Sequence, residues 1–164
     1  MIFSIDTGND KIKTERHVTQ AGLMKLDYKP EESEGAIYYN GAYYKDTVER
    51  LSYLYDKTVD DRYSILSLLA LARELETGTG VEEKEVSNGL IEIALLVELP
   101  PAHYAALREK FKEYFSRGKN PVTFGYKGKT YTVVFHEVVV NIQGYSVYLL
   151  LSSRMGLMSR IKSA

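Results

Sequence analysis

The 164-residue chain contains no cysteine and no tryptophan, has only four prolines, and carries no excess of one charge, with 21 basic against 22 acidic side chains. Without cysteine there can be neither disulfides nor thiolate metal sites, and the chain suits a reducing compartment. The balanced charge supplies no overall field for nucleic acid, so direct DNA or RNA binding is not expected without a local basic patch. Long apolar runs are also missing. The longest, around Ile65 to Ala72 and Ile91 to Val97, fall far short of the roughly 20 residues a membrane helix needs. The opening Met-Ile-Phe-Ser-Ile-Asp lacks a basic region before its first acid and does not read as a secretion signal. The three histidines, His17, His103 and His136, have no partner at helical spacing, which speaks against zinc. The expectation is a soluble cytoplasmic protein with no membrane partner.

What is present is an ordinary globular composition, 45% hydrophobic and 26% charged. A chain of this length buries roughly two thirds of its unfolded surface, enough for one domain with a real core. Ile2 to Thr7 reads as a strand, turns at Gly8 to Asp10, and continues as a second strand from Lys11 to Val18 that extends towards Met24. Lys29 to Glu34 is a polar break around Pro30. Ile37 to Tyr44 then presents paired aromatic segments about Asn40-Gly41, the strongest short hairpin signal a sequence offers. Their tyrosines, Tyr38, Tyr39, Tyr43 and Tyr44, suit either cross-strand packing or a partner surface.

Thr58-Val59-Asp60-Asp61 has the form of a capping box ahead of a helix reaching about Glu76, apolar around most of its circumference. Thr77 to Gly80 closes it, and Glu82 to Glu85 reads as a solvated loop. Leu90 to Leu99 is a nearly unbroken apolar run that stops at Pro100-Pro101, the pattern of an interior strand covered on both faces. Tyr104, Leu107, Phe111 and Tyr114 repeat at helical spacing, with Gly118 as the expected C-cap. Pro121 to Tyr126 and Thr130 to Phe135 flank Lys127-Gly128-Lys129 as another hairpin, followed by a separate short strand from Val138 to Ile142. The expected fold is mixed α/β, with a sheet of five or more strands and flanking helices.

The chemistry centres on Ile5-Asp6-Thr7-Gly8-Asn9-Asp10-Lys11-Ile12-Lys13. A glycine-containing turn exposes backbone N–H groups as an anion-binding concavity, and a lysine adds a point charge. Asp6, at the strand end, is the natural group to hold magnesium through water. The same stretch also reads as a plain hairpin turn. Asp6 and Glu98, both at strand ends, leave open a two-metal nuclease, although no further acids fall at matching positions.

Three stretches, IDTGNDKIKT at 5–14, LPPAHYAALREKFKEYF at 99–115 with PVTFGYKGKTYTV at 121–133, and VNIQGYS at 140–146, resemble the N-terminal domain of bacterial actin-like proteins of the ParM or StbA plasmid-segregation type. The resemblance implies a ribonuclease H-like fold, that of actin-like ATPase domain I, over residues 1–148. It implies ATP and magnesium as cofactors, Asp6 organising the metal, Gly8, Asn9, Asp10, Lys11 and Lys13 lining the phosphates, and Gln143 orienting the attacking water. It also implies self-association into filaments and a DNA-bound adaptor protein as partner. No second phosphate loop follows Gln143, residues 149–164 read as a basic tail with Arg154, Arg160 and Lys162, and Glu98 stands where these relatives carry a small residue. Weak nucleotide affinity and little hydrolysis are therefore expected of this chain alone. A non-catalytic interaction module of the same fold is the alternative.

Overall fold

A computed structural model of the chain describes residues 1–77, 86–87 and 89–144. The expected helix closure at Gly78 to Gly80, the charged loop from Glu82 to Glu85 and the tail from 149 to 164 lie outside the described residues.

The sheet is built around three parallel strands: β1 (Ile2–Thr7), β8 (Leu90–Leu99) and β10 (Lys129–Ile142). β8 lies between the other two, with Ile5 opposite Val97 and Val140 opposite the same residue. Outward from β1 run the short antiparallel β2 (Lys11–Lys13) and β3 (Val18–Gln20). Outward from β10 run β9 (Val122–Tyr126), β5 (Ile37–Tyr39), β6 (Ala42–Asp46) and β4 (Leu23–Leu26), all antiparallel. The order is β3-β2-β1-β8-β10-β9-β5-β6-β4, with β7 (Val86–Ser87) pairing the start of β8. Three antiparallel strands followed by two parallel ones on the far side of β1 make the ribonuclease H-like arrangement.

Burial along β8 alternates: Ile91, Ile93, Leu95, Val97 and Leu99 are buried, while Leu90, Ala94, Leu96 and Glu98 are half-buried and Glu92 is exposed. Among the described residues β8 is thus fully covered on one face, rather than on both as its apolar run suggested. Phe3 and Ile5 of β1 and Val133, Phe135 and Val138 of β10 join that buried face. Two helices complete the core. α1 (Arg62–Thr77) is buried nearly all round, from Tyr63 to Ala72. α2 (Pro101–Ser116) packs against β10 and β8 through Leu107, Phe111 and Phe115. Tyr114 joins them: its hydroxyl accepts from the Ser64 N–H at 2.8 Å and donates to the Asp60 carbonyl at 2.8 Å.

Several elements differ from expectation for nonlocal reasons. The second strand stops at Lys13, because the Thr14 N–H turns onto the His17 carbonyl and the buried Glu74 of α1 takes the Thr14 hydroxyl and the Arg16 N–H. The capping box does not form. Thr58 bonds back to Asp56, α1 begins at Arg62, and its first turn is closed by Asp60, whose carboxylate accepts the Arg62 N–H at 3.0 Å. α2 is capped by Arg117, in the left-handed region at φ 48, one residue before Gly118. The two strands expected at 130–135 and 138–142 are one, β10, with a bulge at His136 that shifts register between Phe135 and Glu137. The Asn40-Gly41 turn forms with both residues at positive φ (48 and 79). Across it Tyr38 and Tyr43 pair with ring centroids 4.8 Å apart, and Tyr39 turns inward, its hydroxyl accepting from Arg117 at 2.8 Å.

Ile93, fully buried at the centre of β8, tests this layout. We expect Ile93→Ala to lower unfolding stability by about 2–5 kcal/mol with an unchanged denaturant slope, the range for a large apolar truncation in a close-packed core. A loss below about 1 kcal/mol in urea denaturation would contradict the central position.

Candidate functional site

Parallel strands end on the same side of a sheet, and ligands of open α/β sheets bind outside those carboxyl ends. Here the ends are Thr7 of β1, Leu99 of β8 and Ile142 of β10, the last two paired directly. The next residue after β10, Gln143, is held twice: its N–H donates to the Leu99 carbonyl at 2.7 Å, and its side-chain Nε2 donates to Asp6 Oδ1 at 2.8 Å. Residues 137 positions apart thus meet at one carboxylate. The β1–β2 register sets Asp6 opposite Lys13, whose Nζ lies 3.6 Å from Asp6 Oδ2. The Asp6 side chain is 21% exposed and that of Lys13 54% exposed, so both remain within reach of a ligand.

The turn between them is tight. A Cβ on Gly8 would lie 2.6 Å from the Lys11 carbonyl oxygen, so glycine is required by closure of the hairpin itself. Asn9 faces the β6–α1 connection, residues 47–61. Its Oδ1 accepts from the Tyr63 hydroxyl at 3.0 Å and from the Leu54 N–H at 3.3 Å. Asp10 is drawn to the same connection: Arg50 reaches its carboxylate at 2.7 Å, while its carbonyl takes the Ala21 N–H. Lys11 is exposed, with its backbone opposite Gln20. Of the sequence-derived candidates, Asp6, Lys13 and Gln143 therefore converge around one carboxylate. Gly8, Asn9, Asp10 and Lys11 form the adjoining turn, with the Asn9 oxygen and the Asp10 charge already engaged by protein groups.

The connection also contributes a residue that sequence reading missed. Lys57 is only 5% exposed, and its Nζ donates to the main-chain carbonyl of Thr7. The ammonium stands 5.1 Å from the centroid of the Tyr63 ring. Burial pushes its pKa down to about 8, against which the Asp6 charge works in the opposite direction. Nothing in Asp56-Lys57-Thr58 signals this, because a lysine between polar neighbours reads as solvated. Two anchors on α2 hold the connection in place: the Tyr55 ring packs at a tilt against His103 with centroids 4.2 Å apart, and Asp56 pairs with Lys110. Among the described residues no group of three or more His, Cys, Asp or Glu side chains could hold a metal ion, so the carboxylate cluster of a two-metal nuclease is not assembled there.

The fold has clear counterparts among solved structures. Over 87% of the chain it superimposes with a TM-score of 0.61 on a 15-stranded ParM filament from Clostridium botulinum, at 13% identity. Over 88% it matches the actin-like protein Alp7A, with a TM-score of 0.58 at 12% identity, and an AlfA filament bound to AMPPNP, with a TM-score of 0.55 at 16% identity. The chain has an actin-like fold. It spans about half the length of these structures, 47%, 45% and 55% respectively. No protein-family model and no curated protein sequence matches it.

Lys57 yields a pH-dependent expectation. Its folded pKa, about 8, lies below the ordinary 10.5. Between these values the unfolded chain binds a proton that the folded chain does not, so stability rises with pH there. The cost of burying the charge is felt in full below about pH 8. Relative to Lys57→Met, the wild type should gain about 2–3 kcal/mol on going from pH 7 to pH 10 in urea denaturation. Parallel pH profiles of the two proteins would refute the buried charge.

Proposed function

We propose that this chain is the nucleotide-binding half of an actin-like filament protein of the plasmid-segregation kind, with its site at the carboxyl ends of β1, β8 and β10. The observation that carries this reading is the Gln143–Asp6 hydrogen bond at 2.8 Å. It brings an amide from one strand end onto a carboxylate at another, beside a lysine and a glycine turn.

Each residue then has a chemical role. Lys13 offsets the charge of Asp6 and, being half-exposed, can swing its ammonium onto a phosphate oxygen. The turn from Gly8 to Lys11 brings main-chain N–H groups close to the phosphates. Asp10, neutralised by Arg50, does not repel them. Gln143 donates through Nε2 to Asp6 and so retains Oε1 as an acceptor that can orient a water for in-line attack. The donor set fits magnesium bound through its own waters: the part-exposed Asp6 carboxylate, with no cluster of three or more acidic or histidine ligands among the described residues. A magnesium ion held there through its waters by Asp6 would offset charge on the triphosphate of bound ATP.

Positioning of this kind is the protein's main contribution to phosphoryl transfer, and an actin-like protein closes around its nucleotide with a second domain. On this reading the chain alone binds ATP weakly and hydrolyses it little or not at all. The complete protein self-associates into filaments in the cytoplasm and moves DNA through a bound adaptor. The AlfA structure, a filament bound to AMPPNP, supports the filament and nucleotide parts of this reading.

Titration calorimetry with magnesium ATP is the direct test. We expect micromolar to millimolar binding that Asp6→Ala weakens at least tenfold, equivalent to about 1.4 kcal/mol. Absence of binding would favour the non-catalytic interaction module, and metal-dependent degradation of RNA or DNA would favour the nuclease. Either result would overturn the proposal.

A further inference from the structure

The anion chemistry of the hairpin has so far been assigned to groups in front of the turn. Lys57 approaches it from the other side. It comes from the β6–α1 connection, is almost wholly buried, and has its Nζ on the Thr7 carbonyl, immediately before Gly8. Thr7 is itself 1% exposed, and its hydroxyl oxygen is buried without a hydrogen-bond partner. The charged groups facing Lys57 can be named. Asp6 acts from β1 as an attractive charge, and Tyr63 from α1 presents its ring. Lys13 is drawn to Asp6 from β2, and the neighbouring Asp56 is committed to Lys110 of α2. Among the described residues no carboxylate lies within ion-pair distance of the Lys57 ammonium.

A buried ammonium without its own counter-ion is costly, and an apolar side chain of similar volume would serve packing better. As a mere clip for one carbonyl it is a poor choice, since a neutral donor makes the same bond without the charge penalty. The expense becomes intelligible if the missing counter-ion is a ligand. In a site shielded from water, a fixed charge acts on an anion far more strongly than it would at the surface.

We propose that Lys57 is a further residue of the anion site: its buried ammonium pins the Thr7 carbonyl behind the glycine turn and supplies the charge that a bound triphosphate balances. This inference rests on the nucleotide-binding reading above and deepens it. Lys57 is a positioning residue, acting on the ligand through the Thr7–Gly8 main chain and through its field. It complements Lys13, which meets the ligand from the open side.

The test compares Lys57→Met and Lys57→Arg in the full 164-residue chain, titrated with magnesium ATP, inorganic tripolyphosphate and adenosine. We expect Lys57→Met to weaken ATP and tripolyphosphate at least tenfold, leave adenosine unchanged and shallow the salt dependence of ATP binding. Lys57→Arg should recover most of the loss. A purely structural role would affect all three ligands alike and would not track charge. Equal affinity of wild type and Lys57→Met for tripolyphosphate would overturn the assignment. Should Lys57→Met fail to fold, lysine-resolved NMR of the wild type decides. The Lys57 side-chain resonances should shift on addition of tripolyphosphate, and their invariance at saturation would equally overturn it. If the wild type binds neither ATP nor tripolyphosphate, the nucleotide reading itself fails; if it binds both and Lys57→Met does so unchanged, only the role of Lys57 fails.

Discussion

The candidate site depends on Gln143 being held to two strands at once, the adjacent β8 and, beyond it, β1. Its main-chain N–H continues the β8–β10 ladder one residue past the end of the strand, and its side chain crosses to the carboxylate at the end of β1. A hydrogen bond to a charged acceptor contributes about 1.5–3 kcal/mol, a modest sum. Its structural effect is larger because it is the outermost rung of the three-strand parallel core. Parallel pairing directs all three carboxyl ends to one side, so an acid, a glycine turn and an amide far apart in the chain share one location. The fold that carries this arrangement, though not its sequence, is shared with solved actin-like structures at 12–18% identity.

Around this corner the charges are sorted by partner rather than by number. Asp10 and Asp56 are neutralised by Arg50 and Lys110, while Asp6 faces Lys13, Gln143 and the field of Lys57. Asp6 thus keeps a part-exposed carboxylate among several donors. The agent of the sorting is the connection between β6 and α1. It passes over the hairpin and fixes Asn9 through Leu54, Asp10 through Arg50 and Thr7 through Lys57. Two contacts with α2 hold it there.

Much of the fold was legible in the residues because its signals are local. Asn40-Gly41 between tyrosine-rich flanks announced a hairpin, the double proline marked the passage from β8 to α2, and the apolar circumference of α1 announced its burial. Asp6, Lys13 and Gln143 were singled out through a family likeness, but their meeting was not legible, since no local pattern relates residue 6 to residue 143. The errors share one cause. Thr58 to Asp61 has the right letters for a capping box, yet Asp56 captures Thr58 and Tyr114 captures the Asp60 carbonyl. The β10 strand runs through His136 because pairing with β8 tolerates one bulge there.

The sequence by itself determined most element types, the main turn positions and the general order of strands and helices. Those follow from backbone preferences and side-chain periodicity over a few residues. Tertiary structure alone decided that the carboxyl ends of β1, β8 and β10 coincide, that Arg50 takes Asp10 while Lys13 and Gln143 meet at Asp6, and that Lys57 is buried. Burial and charge pairing are properties of neighbours, and these neighbours are brought together by sheet registry across as many as 137 positions of chain.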